Sequence, residues 1–387
     1  VDLYIDGPDQ LEMILGLINN AEKYIHLNMM LFFDDSAGQV IGEALANAAR
    51  RGVILRVMFD TFMTNVASYT RDSGAAVAGT PINPGLGVID IIEAGCQPNV
   101  LCEVRSTSQE TIFLDYDWYN TYRPRLEAQG VPEYMLEMQD NIQDSVESAI
   151  NVINHQKYMI VDGTQMMFGS SNFGANYQNE ESFPNDAKWL WHDGLAKVAG
   201  PLVKHAQKVF VQQWITSAGG DFFADFEGEF YFPSDDVLAN LGGTTPMALL
   251  LSYPGDPKHI NLRHVIEIAQ NAKGDVLIEN PYTTDHGLLS VFNELPASQA
   301  EKIHMVASLG LTDSPTIGAT LRCRSRDAVS KGLHIYDFYY GEKFSHIKLA
   351  VDVANNTVHY GSYNLNSRSR LHDLELNFIA KDVDLTR

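Results

Sequence analysis

An internal repeat is the feature that most constrains the fold of this chain. Residues 155–172 read HQKYMIVDGTQMMFGSSN, and residues 346–364 read HIKLAVDVANNTVHYGSYN. Both stretches combine a His-x-Lys pair, an apolar run, a turn and a Gly-Ser-x-Asn ending. A unit that occurs twice in one chain indicates two similar structural units packed against each other. We therefore expect two related halves whose motifs meet at one interface.

The elements that precede the two motifs also follow one order. In each half, apolar residues spaced three and four apart mark helices, and short apolar runs mark strands. Alternating helices and strands predict α/β layers around a largely parallel or mixed sheet. The predicted elements are a helix with Leu11, Ile14, Leu15 and Ile18 on one face, strands at 24–33 and 53–60, a helix at 40–52, helices at 261–274 and 287–295, and strands at 275–282 and 302–310.

These patterns define the expected architecture. We predict two similar α/β domains, each a mixed sheet flanked by helices, packed with pseudo-twofold symmetry and with the active site at their interface. The first domain is expected to span 1–216 and the second 246–387. A linker at 217–245 separates them, because residues 217–236 contain six acids, several aromatics and no Lys or Arg. A calcium loop is the alternative, but the spacing of these acids fits no EF-hand.

The stretch at about 61–150 is predicted to be a long insertion in the first domain. It is irregular in pattern and lies between a predicted strand and the first motif, and long loops in compact domains are often functional. Its aromatic residues either line a substrate cleft or pack the surface of a subdomain. The aromatic residues in question are Tyr116, Trp118, Tyr119 and Tyr122.

Composition limits the partners that this chain can bind. The 387 residues carry a net charge of −22, which argues against a broad basic surface for nucleic acid or anionic lipid headgroups. A small local basic pocket remains compatible with that charge. No stretch approaches the roughly 20 uninterrupted apolar residues that span a bilayer. The chain begins at Val1 without Met, as expected of a processed or trimmed sequence.

The cysteines leave two alternatives open. The chain has three, too few for a disulfide framework or a zinc cluster. Cys96 and Cys102 are close enough in sequence to pair in an oxidising compartment, and reduced, partly buried thiols are the equal alternative. A secreted, periplasmic or membrane-associated location is favoured.

Each motif gathers side chains that suit phosphate chemistry. On a strand, His155 and Lys157 share a face, and the turn at Asp162 brings the Gly-Ser-x-Asn end of the hairpin back beside them. Lys supplies positive charge and Asn a neutral donor for phosphate oxygens. A neutral His can attack phosphorus, and a second, protonated His can give its proton to the leaving oxygen. Two facing motifs therefore supply a nucleophile, an acid and a doubled phosphate cradle.

The paired H-x-K-x4-D and G-S-x-N elements resemble those of the phospholipase D superfamily, also called the HKD family. The strings GSYNLNSRS (361–369) and LHDLELN (371–377) are most similar to its cardiolipin synthase and phosphatidyltransferase branch. The resemblance covers nearly the whole chain. It implies catalytic roles for both His and both Lys, and phosphate contacts from the lysines and from the Ser and Asn of each ending. The corresponding residues are His155, Lys157, Ser170 and Asn172 in the first copy, and His346, Lys348, Ser362 and Asn364 in the second.

The resemblance also implies individual roles. The first-half His would be the nucleophile and the second-half His the acid, although the residues alone do not distinguish them. A carboxylate downstream of each motif would fix the tautomer of a catalytic His and stabilise its imidazolium. The matching positions are Asp193 and Glu375, and a shift in register would give the role to His192 or Asp373 instead.

The second motif departs from the pattern in one place. Asp352 falls four residues after Lys348, whereas Asp162 falls five after Lys157. The hairpin of the second copy is one residue longer, which predicts a bulge or a longer turn at VANN (353–356). In this family the motif Asp lies at the turn and not on phosphorus. We therefore assign both aspartates a structural role and expect catalysis to survive.

Three functions compete at this stage. The first is a phosphodiesterase or phosphatidyltransferase that acts on phospholipids through a phosphohistidine, with water or an alcohol as acceptor and with peripheral membrane contact. The second is a nuclease of the same superfamily, which the acidic charge disfavours. The third is a binding or scaffold protein with an inactive centre. No metal or other cofactor is expected because the two lysines supply the positive charge, and no oligomer is required because one chain carries both motifs.

Overall fold

The fold is built around two open sheets, one in each half of the chain. A computed structural model describes residues 1–61, 63–64, 67, 86–107, 118–145, 152–178, 190–218, 226, 228–241, 243–310, 315–338 and 343–386. The first sheet has the order β1-β9-β7-β6-β2-β3-β4. Its strands are β1 (Asp2–Ile5), β2 (Tyr24–Met29), β3 (Ile54–Phe59), β4 (Cys102–Ser106), β6 (Tyr158–Val161), β7 (Gln165–Gly169) and β9 (Gly194–Ala199).

The second sheet repeats this arrangement strand for strand. Its order is β10-β17-β16-β15-β11-β12-β13. In both sheets the last three strands of the order are parallel and the others pair antiparallel. The predicted fold class, with two related mixed sheets, is therefore confirmed. The strands of the second sheet are β10 (Met247–Ser252), β11 (Val276–Glu279), β12 (Ile303–Ala307), β13 (His334–Asp337), β15 (Leu349–Asp352), β16 (Thr357–Gly361) and β17 (Asp373–Lys381).

Helices cover the outer faces of the sheets, and an apolar core joins their inner faces. Successive residues of β6 point to opposite faces, so Tyr158 contributes to the central core and Met159 to the core beneath the outer helices. In the central core the rings of Phe168 and Phe378, one from each sheet, meet edge to face with centroids 4.7 Å apart. The helices are α1 (Gly7–Asn19), α2 (Ser36–Arg50), α3 (Leu86–Glu93), α4 (Arg123–Ala128), α5 (Glu133–Asp144), α6 (Ala175–Gln178), α7 (Pro201–Ala218), α8 (Asp235–Ala239), α9 (Ile260–Asn271), α10 (His286–Glu294), α11 (Ala297–Ala300), α12 (Pro315–Arg324), α13 (Arg326–Ser330) and α14 (Ser367–Leu371).

Part of the stretch at about 61–150 has regular structure that the sequence pattern did not predict. Helix α3 and strand β4 lie within it, and β4 extends the first sheet beside β3 as β13 extends the second beside β12. This segment therefore belongs to the repeated unit. The sequence pattern missed it because β4 is half-buried and carries Glu and Arg, which weakens the strand signal.

The aromatic residues of that stretch pack within their own helical subdomain. Trp118 is fully buried and donates from Nε1 to Asp140 at 2.8 Å, and the Tyr119 hydroxyl lies 2.8 Å from an oxygen of Asp144. Both acids belong to α5. Of the two alternatives, these contacts favour subdomain packing; Tyr116 lies outside the described residues. The linker prediction falls partly outside them too, since most of 219–227 is not described, and the three domain boundaries stay predictions.

Two sulfur atoms close the loop between α3 and β4. Cys96 and Cys102 form a disulfide, which is one of the two alternatives that the sequence left open. Cys323 is an exposed thiol. Disulfides persist mainly in oxidising compartments, and the location of this chain stays a prediction.

The two motif hairpins differ at their turns, as the extra residue predicted. In the first copy, residues 162–164 link β6 to β7, whereas residues 353–356 link β15 to β16. The additional residue thus lengthens the turn and leaves the paired strands in equivalent register. Asp162 accepts hydrogen bonds from the backbone of Glu22, Lys23 and Tyr24, so it ties the first hairpin to the start of β2.

We expect Asp162→Ala to lower the free energy of unfolding by about 2 kcal/mol, because three backbone N–H groups lose a charged acceptor. Asp352→Ala is the matched control from the other half. Among the described residues, the Asp352 carboxylate accepts hydrogen bonds from Asn355 of its own turn, so a smaller loss is expected. Urea unfolding of both variants measures the difference. Equal losses would show that the contact with β2 adds nothing.

Candidate active site

Two short parallel ladders place each motif His opposite a carboxylate from the other half. Strand β5 (Ile153–Asn154) pairs with the start of β17, and β14 (Lys343–Ser345) pairs with β8 (Leu190–His192). Each ladder ends one residue before a motif His. Continuing the register by one residue sets His155 opposite Glu375 and His346 opposite Asp193.

The first pair joins His155 to Glu375. Nδ1 of His155 lies 2.9 Å from Oε2 of Glu375, and the backbone N–H of His155 donates to the carbonyl of Leu374 at 3.0 Å. The Glu375 carboxyl also accepts from the hydroxyls of Ser362 and Ser369, each at 2.5 Å. Two hydroxyl donors and the His155 ring thus fix this carboxyl in one orientation.

The second pair joins His346 to Asp193. Nδ1 of His346 lies 2.7 Å from Oδ2 of Asp193, and the backbone N–H of His346 donates to His192 at 2.8 Å. The other Asp193 oxygen accepts from the Ser170 hydroxyl and from the backbone of Gly194. Both pairs are therefore built alike, as expected of the repeat.

The pairing is crosswise between the halves. The sequence placed each carboxylate downstream of a motif but could not say which His it contacts. Asp193, from the first half, contacts the second-half His, and Glu375 contacts the first-half His. The register alternatives are not realised: His192 turns to Asp6 at 3.0 Å, and Asp373 forms an ion pair with Arg368 at 3.0 Å.

The motif segments themselves are not strands, which corrects one prediction. His155–Lys157 lie between β5 and β6, and the second copy lies between β14 and β15. The two lysines reach the site by folding back: Lys157 Nζ donates to the His155 carbonyl, and Lys348 Nζ to the His346 carbonyl, each at 2.6 Å. This position holds each ammonium beside its own His.

The serines and asparagines of the Gly-Ser-x-Asn endings differ in their contacts. The Ser170 and Ser362 hydroxyls donate to the Asp193 and Glu375 carboxylates and so hold the partners of the two His; their contact with phosphate stays a prediction. The Asn172 amide accepts from the backbone of Leu31 and donates to the Tyr177 hydroxyl. Asn364 is 5% exposed, and within the described ranges its Oδ1 has no hydrogen-bond partner.

Burial and charge set the protonation of the site. Burial and the two lysines hold the pKa of His155 well below its usual range. Burial and Lys348 lower the pKa of His346 to about 3, against the opposing charge of Asp193. Burial also lowers the pKa of Lys157 to about 8. Because each His responds to both lysines, the four side chains form one electrostatic cluster.

The two carboxyl groups are shifted in opposite directions. Burial alone would raise the pKa of Asp193, but His346, Lys348 and Ser170 outweigh it and lower that pKa. Burial raises the pKa of Glu375, against the opposing charge of Lys157. Asp193 is thus held ionised beside His346, while Glu375 depends on Lys157 for its ionised form.

Several supporting residues were missed by sequence reasoning. Ser369 donates to Glu375 and accepts from the backbone of Asn364. The sequence pattern gave this serine no role. Asp6 accepts from the backbone of Asp193 at 3.2 Å and from Lys343 at 2.7 Å, so it joins both strands of the β8–β14 ladder. A buried amide network beside His155 had no signal, because lone amides are common in strands. It consists of Asn28, Asn154, Gln156 and Gln213.

Two further properties bear on what this site can bind. Across the described residues, no cluster of three or more His, Cys, Asp or Glu side chains is arranged to hold a metal ion. The described helices include none with the length and hydropathy that a membrane span requires.

Comparison with known proteins identifies the class of this fold and site. A family model described as "Cardiolipin synthase, PLD-like domain" matches residues 14–214. The chain belongs to this PLD-like family. The family assignment agrees with the resemblance carried by the two motifs.

Individual relatives are distant but cover the whole chain. Cardiolipin synthase 1 of Staphylococcus aureus (strain MRSA252) is 21% identical over 388 residues, covering 100% of this chain and 65% of that protein. Cardiolipin synthase A of Pseudomonas syringae pv. syringae (strain B728a) is 23% identical over 386 residues, covering 100% and 66%. This chain therefore spans about two thirds of the length of these curated relatives.

A solved structure supports the fold. The crystal structure of phosphatidylserine synthase from Haemophilus influenzae Rd KW20 superposes with a TM-score of 0.64 at 13% identity, covering 99% of this chain and 83% of that one. At this identity the match supports the fold alone.

Proposed function

We propose that this protein cleaves or transfers phospholipid headgroups through a covalent phosphohistidine. The observation that carries the proposal is the crossed arrangement of two His–carboxylate pairs with a lysine folded beside each His. Such a site offers a nucleophile, a proton donor and two positive charges to one phosphodiester. The family and the relatives, which are cardiolipin synthases by name, point to phospholipid as the substrate.

The first step forms a bond between Nε2 of His155 and phosphorus. In this step the Nδ1–H of His155 donates a hydrogen bond to Glu375, so the lone pair of that ring lies on Nε2. The bond from phosphorus to the headgroup oxygen breaks, and His346 gives its proton to that oxygen. Lys157, Lys348 and the Asn172 and Asn364 amides hold the phosphate oxygens.

The second step reverses these roles. Water or an alcohol gives its proton to His346 and attacks phosphorus, and the bond to His155 breaks. Water yields hydrolysis, and the hydroxyl of a second lipid or of another alcohol yields headgroup transfer. One chain supplies both motifs, so the proposed site needs no second copy.

The different surroundings of the two carboxyl groups support this assignment of roles. A nucleophile must be neutral, and burial with two nearby lysines keeps His155 so. An acid must be protonated, and Asp193 stays ionised beside His346. The negative charge of a bound phosphodiester opposes the lysines and raises the pKa of His346 toward the range in which it holds a proton.

Turnover of defined substrates tests the proposal. We expect wild-type protein to convert short-chain phosphatidylglycerol to phosphatidic acid or, with an added alcohol, to the exchanged lipid. Thin-layer separation and mass spectrometry of the products distinguish the two. Products from single-stranded oligonucleotide but from no lipid would replace this function by the nuclease alternative. No product from either substrate would favour the inactive scaffold.

We expect this activity to survive removal of divalent cations. Lys157 and Lys348 supply the positive charge that a metal ion would otherwise bring to the phosphate. The measurement is turnover after dialysis against EDTA, with undialysed enzyme as control. Loss of activity that added Mg²⁺ or Ca²⁺ restores would contradict the metal-free mechanism.

A further inference from the structure

The repeat allows the two walls of the site to be compared position by position. Asn28 of β2 pairs with Tyr158, and Glu279 of β11 pairs with Leu349; Tyr158 and Leu349 each lie three residues after a motif His. The residues that follow β2 therefore correspond to those that follow β11. The two stretches begin at the same edge of equivalent sheets, at the ends of parallel strands, where ligands of open α/β sheets bind.

The corresponding stretches differ in chemistry. Residues 29–33 read MMLFF, whereas residues 280–284 read NPYTT. The residues two positions before the two site carboxylates differ in the same way. Trp191 precedes Asp193 in the first half, whereas the corresponding residue in the second half is Asp373, which is paired with Arg368. One unit has thus placed apolar side chains where its copy has polar and charged ones.

Three of the residues at 29–33 belong to a small apolar cluster, whereas Met29 and Phe32 belong to the core beneath the outer helices. Three members are buried and four are partly exposed, and none carries a charge. The cluster is separate from the cores that hold the sheets and helices together. We call it the apolar wall; its members are Met30, Leu31, Phe33, Met63, Ala67, Tyr177 and Trp191.

The apolar wall is continuous with the phosphate cradle. Sδ of Met30 lies 3.8 Å from Lys157 Nζ, and the Trp191 ring lies 4.6 Å from the His346 ring. The Asn172 amide bonds both Leu31 and Tyr177. A molecule whose phosphate lies between the lysines therefore meets this wall with whatever is attached to that phosphate.

We propose that the apolar wall binds the diacylglycerol part of a phospholipid, and that residues 280–284, which follow β11, face the headgroup and the acceptor. The inference rests on the proposed function. Partly exposed Met and Trp side chains gain free energy when acyl or glyceryl carbon covers them, whereas a sugar–phosphate backbone offers them little. The division also explains why the two copies of one unit have diverged.

The test compares two diesters with one headgroup. Wild-type enzyme should show a higher kcat/KM for monomeric dihexanoyl phosphatidylglycerol than for glycerophosphoglycerol, which has no acyl chains. Met63→Gln should lower the ratio of the two kcat/KM values about fivefold to tenfold, since it replaces apolar contact surface by an amide. Met63→Leu keeps the surface apolar and should keep the ratio. Val329→Gln, at a 46% exposed position of α13, is the surface control.

The outcomes distinguish lipid binding at the apolar wall from cleavage of the phosphodiester. Equal proportional losses for both diesters in Met63→Gln would assign that residue to shaping the phosphate site and would overturn the apolar wall. Equal kcat/KM for both diesters in the wild type would overturn it as well, while leaving the proposed function intact. Wild-type enzyme that cleaves neither diester would overturn the proposed function and the wall together.

Discussion

His155→Ala should form no covalent adduct, and its kcat should fall by a factor of at least about 10⁴, because the reaction loses its nucleophile. His346→Ala should lose as much with a phospholipid, whose alkoxide leaving group needs a proton. With a p-nitrophenyl phosphodiester the two variants should separate. Nitrophenolate leaves without a proton, so His346→Ala should release one burst and stop at the adduct.

Mass spectrometry after an alkaline quench, which preserves phosphohistidine, locates the adduct. His286→Ala is the matched control, since this His is exposed on α10 and lies outside the site. It should behave as the wild type with both substrates. An adduct on His346 in the wild type would exchange the two roles, and a burst from His155→Ala would refute the covalent mechanism.

The repeat was sufficient to predict the fold and the two motif hairpins. Two His-x-Lys motifs, each with its Gly-Ser-x-Asn ending, required two hairpins, and both hairpins are present. The order of helices and strands before each motif predicted two similar mixed sheets, and the structure shows that their strand orders are equivalent. These features depend on local pattern, and each element in question is apolar on at least one face.

The sequence pattern could not predict which strands of the two halves pair with each other. Which carboxylate contacts which His depends on β5 meeting β17 and β8 meeting β14. Strands β5, β8 and β14 have only two or three residues each and no pattern of their own. The serine hydroxyls were assigned to phosphate for the same reason: the contact that engages Ser170 comes from Asp193, beyond its own hairpin. Strand β4 was not predicted because it is half-buried and its polar residues weaken the apolar pattern of a strand.

The crossed pairing itself makes the second large prediction. Asp193→Asn should lower kcat for phospholipid by about 10² to 10⁴, because the imidazolium of His346 loses its counter-charge and its fixed orientation. Glu375→Gln should lower kcat for phospholipid by a similar factor, because His155 loses the hydrogen-bond acceptor that keeps its lone pair on Nε2. The two losses arise at different steps, and the p-nitrophenyl diester distinguishes them.

With that diester, the nitrophenolate burst of Asp193→Asn should stay near the wild-type rate, since this step needs no acid. The burst of Glu375→Gln should slow by the full factor, since the nucleophile itself is impaired. A pairing within each half would give the reverse: Asp193→Asn would slow the burst and Glu375→Gln would spare it. The double variant Glu375→Gln/His155→Ala should be no slower than His155→Ala alone, because residues that act as one unit are not additive. An additive loss in that variant would mean that Glu375 serves the reaction through a group other than His155.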